Sequence, residues 1–281
     1  MVGVSTIITI CITLCICLIV PLVAYIIYGV KNKGKGVWIA WLLGAAGFAV
    51  PQLFIRVPIL NVLALSEGFQ KFAENQYVLY CLILAFTAGL FEVAGRFAVA
   101  KILSKKMNCE RAIAAGLGHG GIEAMLLIGM TYINNLIYSF MINTGTFTTV
   151  IEQTEAFGVD VSQLVAIQEA LINTSSATFL LAGYERILTM IFHLAMSLLV
   201  CYFVSKKQAC KGVFICLLSH TTVDFVSPLI SGLATDYLGN VISTNTSYII
   251  IYAFLTAIAV ASIVVIMKLK KKFGDTVSAE M

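Results

Sequence analysis

Seven times along this chain the sequence stays apolar for roughly 20 residues, the length an α-helix needs to cross about 30 Å of hydrocarbon. The runs fall at 5–28, 37–55, 77–100, 112–132, 178–204, 213–233 and 248–267. Backbone N–H and C=O groups in lipid must be bonded within the segment itself, so runs of this kind fold as helices. The expected fold class is therefore all-α, a polytopic transmembrane helix bundle of about seven spans. A composition 60% hydrophobic and 11% charged, with mean hydropathy +0.97, excludes an ordinary soluble domain. No repeat or Pro/Ser-rich linker divides residues 1–281, which read as a single integral membrane domain. Residues 61–75 are mixed in character, and 143–176 is long enough for interfacial helices or an eighth, weakly marked span.

Charge placement orients the spans. Fourteen of the 18 Lys and Arg residues fall in four clusters: Lys31, Lys33 and Lys35; Lys101, Lys105, Lys106 and Arg111; Lys206, Lys207 and Lys211; and Lys268, Lys270, Lys271 and Lys272. With seven spans these occupy the loops of one side, while 143–176 carries Glu152, Glu155, Asp160 and Glu169 and no Lys or Arg. The positive-inside rule then sets the amino terminus outside and the carboxyl terminus in the cytoplasm of a plasma membrane, expected to be bacterial. The basic residues sit at loop ends, so the net charge of +4 marks orientation and not a nucleic-acid surface. The first span lacks a basic leader and a small-residue cleavage site and reads as a retained helix. Eight cysteines without a CxxC spacing suggest neither a disulfide framework nor a zinc knuckle.

All three histidines, His119, His193 and His220, lie inside apolar runs. Glu92, Arg96, Glu123, Glu185, Arg186 and Asp224 join them. Intramembrane ionisable groups are costly, by roughly 2.5 to 3.5 kcal/mol for a central charge on insertion scales, and face a bundle interior or a wet cavity. Counting 1.5 Å per residue from the basic ends sets Glu92, His119, Glu123, His193, His220 and Asp224 roughly 10 to 20 Å deep. Glu92 with Arg96, His119 with Glu123, and His220 with Asp224 are i,i+4 pairs, each on one helix face. The expectation is convergence around one water-accessible cavity. Gly116, Gly120 and Gly121 clear side chains from around His119 and admit a neighbouring backbone. Glu185 and Arg186 lie nearer the outer side and read as a structural pair.

The segments FEVAGR (Phe91 to Arg96), GLGHGGIEA (Gly116 to Ala124), ERILTMIFHLAMS (Glu185 to Ser197) and SHTTVDF (Ser219 to Phe225) resemble the YhfC family of intramembrane proteases. That family is placed within the wider superfamily of CAAX prenyl proteases and bacteriocin-processing enzymes. The resemblance implies a glutamate-activated water: a carboxylate takes its proton, a histidine assists, and an HxxxN or HxxxD pair stabilises the oxyanion. His220 and Asp224 match the last pair. Glu92 and Arg96 resemble a paired-glutamate motif ending in arginine, although Phe91 and Val93 flank Glu92 and one glutamate of that pair is absent. His193 resembles the middle histidine motif, with Thr189 where a phenylalanine stands. His119 and Glu123 belong to the distinctive GHGGxE segment.

The site expected from these readings comprises Glu92, Arg96, His119, Glu123, His193, His220 and Asp224. Glu92 or Glu123 is the base, His119 or His193 orients water or protonates the leaving group, and no cofactor is expected. The alternative mechanism uses the histidines and a carboxylate as zinc ligands, with the remaining glutamate as base. The expected partner is a membrane-embedded peptide or membrane-protein substrate within the lipid bilayer, and not nucleic acid. Two other classes share the pattern: a non-catalytic immunity or sensor protein on the same scaffold, and a proton-coupled transporter using Glu, His and Asp as a relay. Clustering at one depth and the missing inverted repeat weigh against transport.

Overall fold

The computed structural model describes residues 1–279, with side chains through Phe273. It is all-α, with no strand among the described residues. Among the described residues, seven helical runs are long and apolar enough to cross a membrane: α1 (Val4–Lys31), α2 (Val37–Ala64), α4 (Tyr77–Lys106), α5 (Cys109–Thr144), α8 (Ser176–Ser205), α9 (Ala209–Gly232) and α10 (Thr244–Phe273). Shorter helices are α3 (Glu67–Asn75), α6 (Thr146–Ala156) and α7 (Ser162–Asn173). At 1.5 Å per residue α6 and α7 rise only about 16 to 18 Å, too little to span. The 143–176 stretch thus folds as two short helices and not as an eighth span.

Three of the long helices contain wide π-helical turns, at Cys15–Ile19 in α1, Ala49–Arg56 in α2 and Ala124–Gly129 in α5. The second contains Pro51, which lacks the N–H an α-helical ladder needs at that position.

The helices pack as two compact units. One comprises residues Met1–Val23 and Ala124–Ile187 and is cored by Ile10, Tyr132, Ile142, Phe147, Leu171 and Phe179. Within it Thr13 Oγ1 and Tyr132 Oη both donate to the carbonyl of Phe179, at 2.8 and 2.9 Å, tying α1 and α5 to α8. The side chains of Glu185 and Arg186 pair with each other there.

The other unit comprises Ala24–Glu123 and the chain from Leu188 on. Its core is centred on α8, whose Leu188, Phe192, Ala195, Leu198, Val200 and Val204 are buried among apolar residues of α4, α5, α9 and α10. Small residues bring its backbones together. A Cβ on Gly95 of α4 would lie 1.8 Å from the Gly47 carbonyl of α2, and one on Gly118 of α5 would lie 2.1 Å from the Trp41 carbonyl. Gly120 does the same toward α8, where a Cβ would stand 2.9 Å from His193 Cβ. This bears out the close approach expected around His119 for Gly116 and Gly120, both of which face α8.

The basic ends of this unit come together in pairs. Lys35, after α1, binds Glu110 at 2.5 Å, and Arg111 donates to the carbonyls of Lys35 and Lys106. Lys206 and Lys272 both stand over the ring of Tyr202, at 5.9 and 6.0 Å.

Candidate active site

All seven expected site residues lie in the second unit, on four helices: Glu92 and Arg96 on α4, His119 and Glu123 on α5, His193 on α8, His220 and Asp224 on α9. Glu92, Arg96, His119, Glu123, His193 and His220 are buried, and Asp224 keeps a side chain 32% exposed.

One atom organises them. Glu92 Oε2 lies 2.8 Å from His220 Nε2, 3.1 Å from His119 Nε2, 3.5 Å from His193 Nδ1 and 3.1 Å from Arg96 Nη2. Three imidazoles and a guanidinium from four helices thus meet one carboxylate oxygen. Burying that carboxylate alone would cost several kcal/mol, and its surroundings offset the cost with charge and hydrogen bonds. Phe48 sets its ring edge against His119 and Phe192 against both His193 and His220, so the imidazoles are held between aromatic walls.

Two further carboxylates hold the far sides of two of these rings. Glu123 Oε2 lies 2.7 Å from His193 Nε2, and Asp224 Oδ2 lies 3.1 Å from His220 Nδ1. Arg96 Nη2 also reaches His193 Nδ1, at 2.5 Å. A guanidinium only donates, so Nδ1 of His193 accepts and its proton sits on Nε2, facing Glu123. Of the i,i+4 pairs read from sequence, Glu92 with Arg96 and His220 with Asp224 form directly. His119 and Glu123 instead reach across to Glu92 on α4 and to His193 on α8.

The side chains converge, but mostly on each other and not around an open space. Of the seven, Arg96 and His119 line a cavity of about 10 Å³, room for about one water at most, together with Gly44, Val99, Ala115, Ser197 and Cys201.

Sequence reasoning missed Gln52. It is 5% exposed on α2, and its Nε2 donates to Glu92 Oε1 at 2.9 Å. Arg56, one turn on, binds the Gln52 amide oxygen at 3.4 Å. The signal available was a proline followed by a glutamine four residues before an arginine at the end of an apolar run, which reads as a span simply ending.

Comparison with known proteins adds to this geometry. Residues 16–243 match the family model described as YhfC intramembrane metalloprotease. The chain belongs to the YhfC family. A Bacillus subtilis (strain 168) protein of that family, described as "Uncharacterized membrane protein YhfC", is 32% identical over 188 residues, 66% of this chain and 70% of the relative. No solved structure matches.

The family description implies a metal, and the donor set fits one. Glu92, His119 and His193 each offer a ligand atom, all within 4.8 Å of one another, and His220 brings a further nitrogen to the same Glu92 oxygen. Imidazole nitrogens with a carboxylate oxygen are the ligand types zinc takes. With Asp224 accepting the Nδ1 proton of His220, its Nε2 lone pair faces a carboxylate oxygen at 2.8 Å, and two acceptors that close need a proton or a cation between them. The expectation of no cofactor therefore finds no support. The family description and the donor set of this chain point toward zinc, the alternative read from the sequence.

Proposed function

We propose that this YhfC-family protein is a zinc-dependent intramembrane peptidase that hydrolyses a peptide bond of a membrane-embedded peptide or protein, in the cytoplasmic half of the bilayer. The observation that carries the reading is the meeting of three imidazoles from α5, α8 and α9 at Glu92 Oε2.

Glu92, His119 and His193 would hold the ion, with His220 beside them. Zinc in such a site supplies Lewis acidity toward a carbonyl oxygen and makes water nucleophilic near neutral pH. Asp224 accepts the Nδ1 proton of His220 and so turns Nε2 toward Glu92. Glu123 accepts the Nε2 proton of His193 and fixes that ring in the same sense. Carboxylates in this relation to a ligating histidine orient the ring and raise its basicity. Glu123 is also the base: it takes the proton of the attacking water and returns it to the leaving nitrogen, so that OH ends on the acyl carbon and H on the amine. Arg96 holds positive charge against Glu92 and keeps the carboxylate fixed.

One contact favours a second reading. Arg96 Nη2 already spans Glu92 Oε2 and His193 Nδ1, a buried cation within the donor set. If the guanidinium stays there, Glu92 acts directly on water without metal.

Cleavage of candidate membrane peptides in proteoliposomes, by wild-type, Glu92→Gln and Glu123→Gln protein, tests the function. Loss of cleavage with a chelator and its return with zinc supports the zinc reading. Cleavage indifferent to the chelator but lost in Glu92→Gln supports the second. Normal cleavage by both variants overturns both.

A further inference from the structure

We infer that Gln52 is a positioning residue of the Glu92 centre, its amide holding Glu92 Oε1 so that Oε2 alone is presented to the histidines; the inference rests on the zinc reading above.

The local sequence builds this contact. Pro51 interrupts the α-helical ladder and α2 opens into the wide turn Ala49–Arg56. Such turns often occur at functional sites, because they re-aim a side chain without ending the helix. The crossing of α2 with α4 at Gly47 and Gly95 brings the turn close, with the Pro51 ring 3.0 Å from where a Gly95 Cβ would stand. Gln52 is thereby carried onto α4 one turn before Glu92.

A buried primary amide is costly unless both of its ends are bonded. Here both are. Nε2 donates to Glu92 Oε1 at 2.9 Å and to the Ala88 carbonyl at 3.3 Å, while Oε1 accepts from Arg56 Nη1 at 3.4 Å. Arg56 is itself fixed, donating to the Leu84 carbonyl at 2.8 Å and to Thr87 Oγ1 at 3.3 Å. Because the guanidinium can only donate, the amide cannot be turned round, and its N–H must face the carboxylate. The terminal torsion of a glutamate is broad and roughly two-fold. Without a donor on Oε1, the two oxygens become interchangeable before the imidazoles. Gln52 removes that freedom from a side that carries none of the histidines.

The test needs no substrate. Metal-free wild-type, Gln52→Leu, Gln52→Met and Glu92→Gln proteins are purified in detergent and titrated with zinc against a chromophoric chelator. Cobalt(II) spectra and thermal unfolding of the metal-free forms are recorded in parallel. Expected are zinc binding about 10- to 100-fold weaker in Gln52→Leu, the range for residues that orient a ligand, an altered cobalt spectrum, and a metal-free melting temperature within a few degrees of wild type. Gln52→Met keeps the length of the side chain without its amide, and shows the same losses if Gln52→Leu does not fold. Wild-type affinity and spectrum in the Gln52 variants, with binding lost in Glu92→Gln, overturn the role of Gln52 and leave the zinc reading intact. Absence of zinc binding by the wild-type protein overturns both.

Discussion

His193 Nε2 stands 2.7 Å from Glu123 Oε2, so the ring on α8 is held by a carboxylate on α5 while its Nδ1 faces Glu92. This contact joins the two glutamates through one imidazole, and the proposed mechanism gives Glu123 two duties there, orientation and proton transfer. Glu123→Gln keeps the shape and removes the base. Cleavage is expected to fall by at least the 10- to 100-fold typical of residues that orient a ligand, while bound zinc falls less than in Glu92→Gln. Parallel measurement of rate and zinc content checks it, and unchanged rates would remove Glu123 from the mechanism.

Asp224 offers a graded test. Its Oδ2 accepts from His220 Nδ1 at 3.1 Å, and an asparagine in its place still offers an acceptor oxygen. Asp224→Asn is expected to retain much of the activity, whereas Asp224→Ala loses about 10- to 100-fold. Equal losses in the two variants would mean that the negative charge matters and not the hydrogen bond.

The glycine crossing of α2 with α4 is a stability prediction. A Cβ at Gly95 would overlap the Gly47 carbonyl at 1.8 Å, and carbonyl backbone cannot swing aside as a side chain does. Gly95→Ala is expected to destabilise by at least about 1 to 3 kcal/mol, the usual cost of overpacking. Thermal unfolding in detergent measures it. Gly34, with no heavy atom within 4 Å of its Cβ position, tests φ instead of space: at φ +85, alanine there strains the turn without a clash.

Topology is tested by labelling. Lys35 with Arg111 and Lys206 with Lys272 bring the four basic clusters together in two pairs, as loops on one side require. Cysteines introduced near Glu155 are expected to react from outside the cell and those near Lys207 from the cytoplasm. The reverse pattern would move the centre to the outer half of the bilayer.

The spans were legible because apolar length is itself the physical requirement, and Glu92, His119, His193 and His220 because ionisable groups in lipid must converge on something. Periodicity assigns a residue to a face of its own helix but does not say which face lies opposite. His119 and Glu123 therefore read as a pair, although they bond to Glu92 and His193 on other helices. Gln52 was hidden for a further reason: the π-helical turn at Pro51 shifts the register on which face counting depends. Glu92 as the shared oxygen could be read only from the structure, since three i,i+4 faces are compatible with many arrangements.

The metal content of the purified chain tests the zinc assignment most directly. Wild-type, Glu92→Gln and His119→Ala proteins would be dialysed against metal-depleted buffer and analysed by inductively coupled plasma mass spectrometry, with circular dichroism confirming that each remains helical. About one zinc per wild-type chain, and most of it lost from both variants, is expected of a site whose ligands act together. Wild-type protein that cleaves a membrane peptide while holding no more zinc than the two variants would contradict the assignment and leave Glu92, with Arg96 beside it, as the group that activates water.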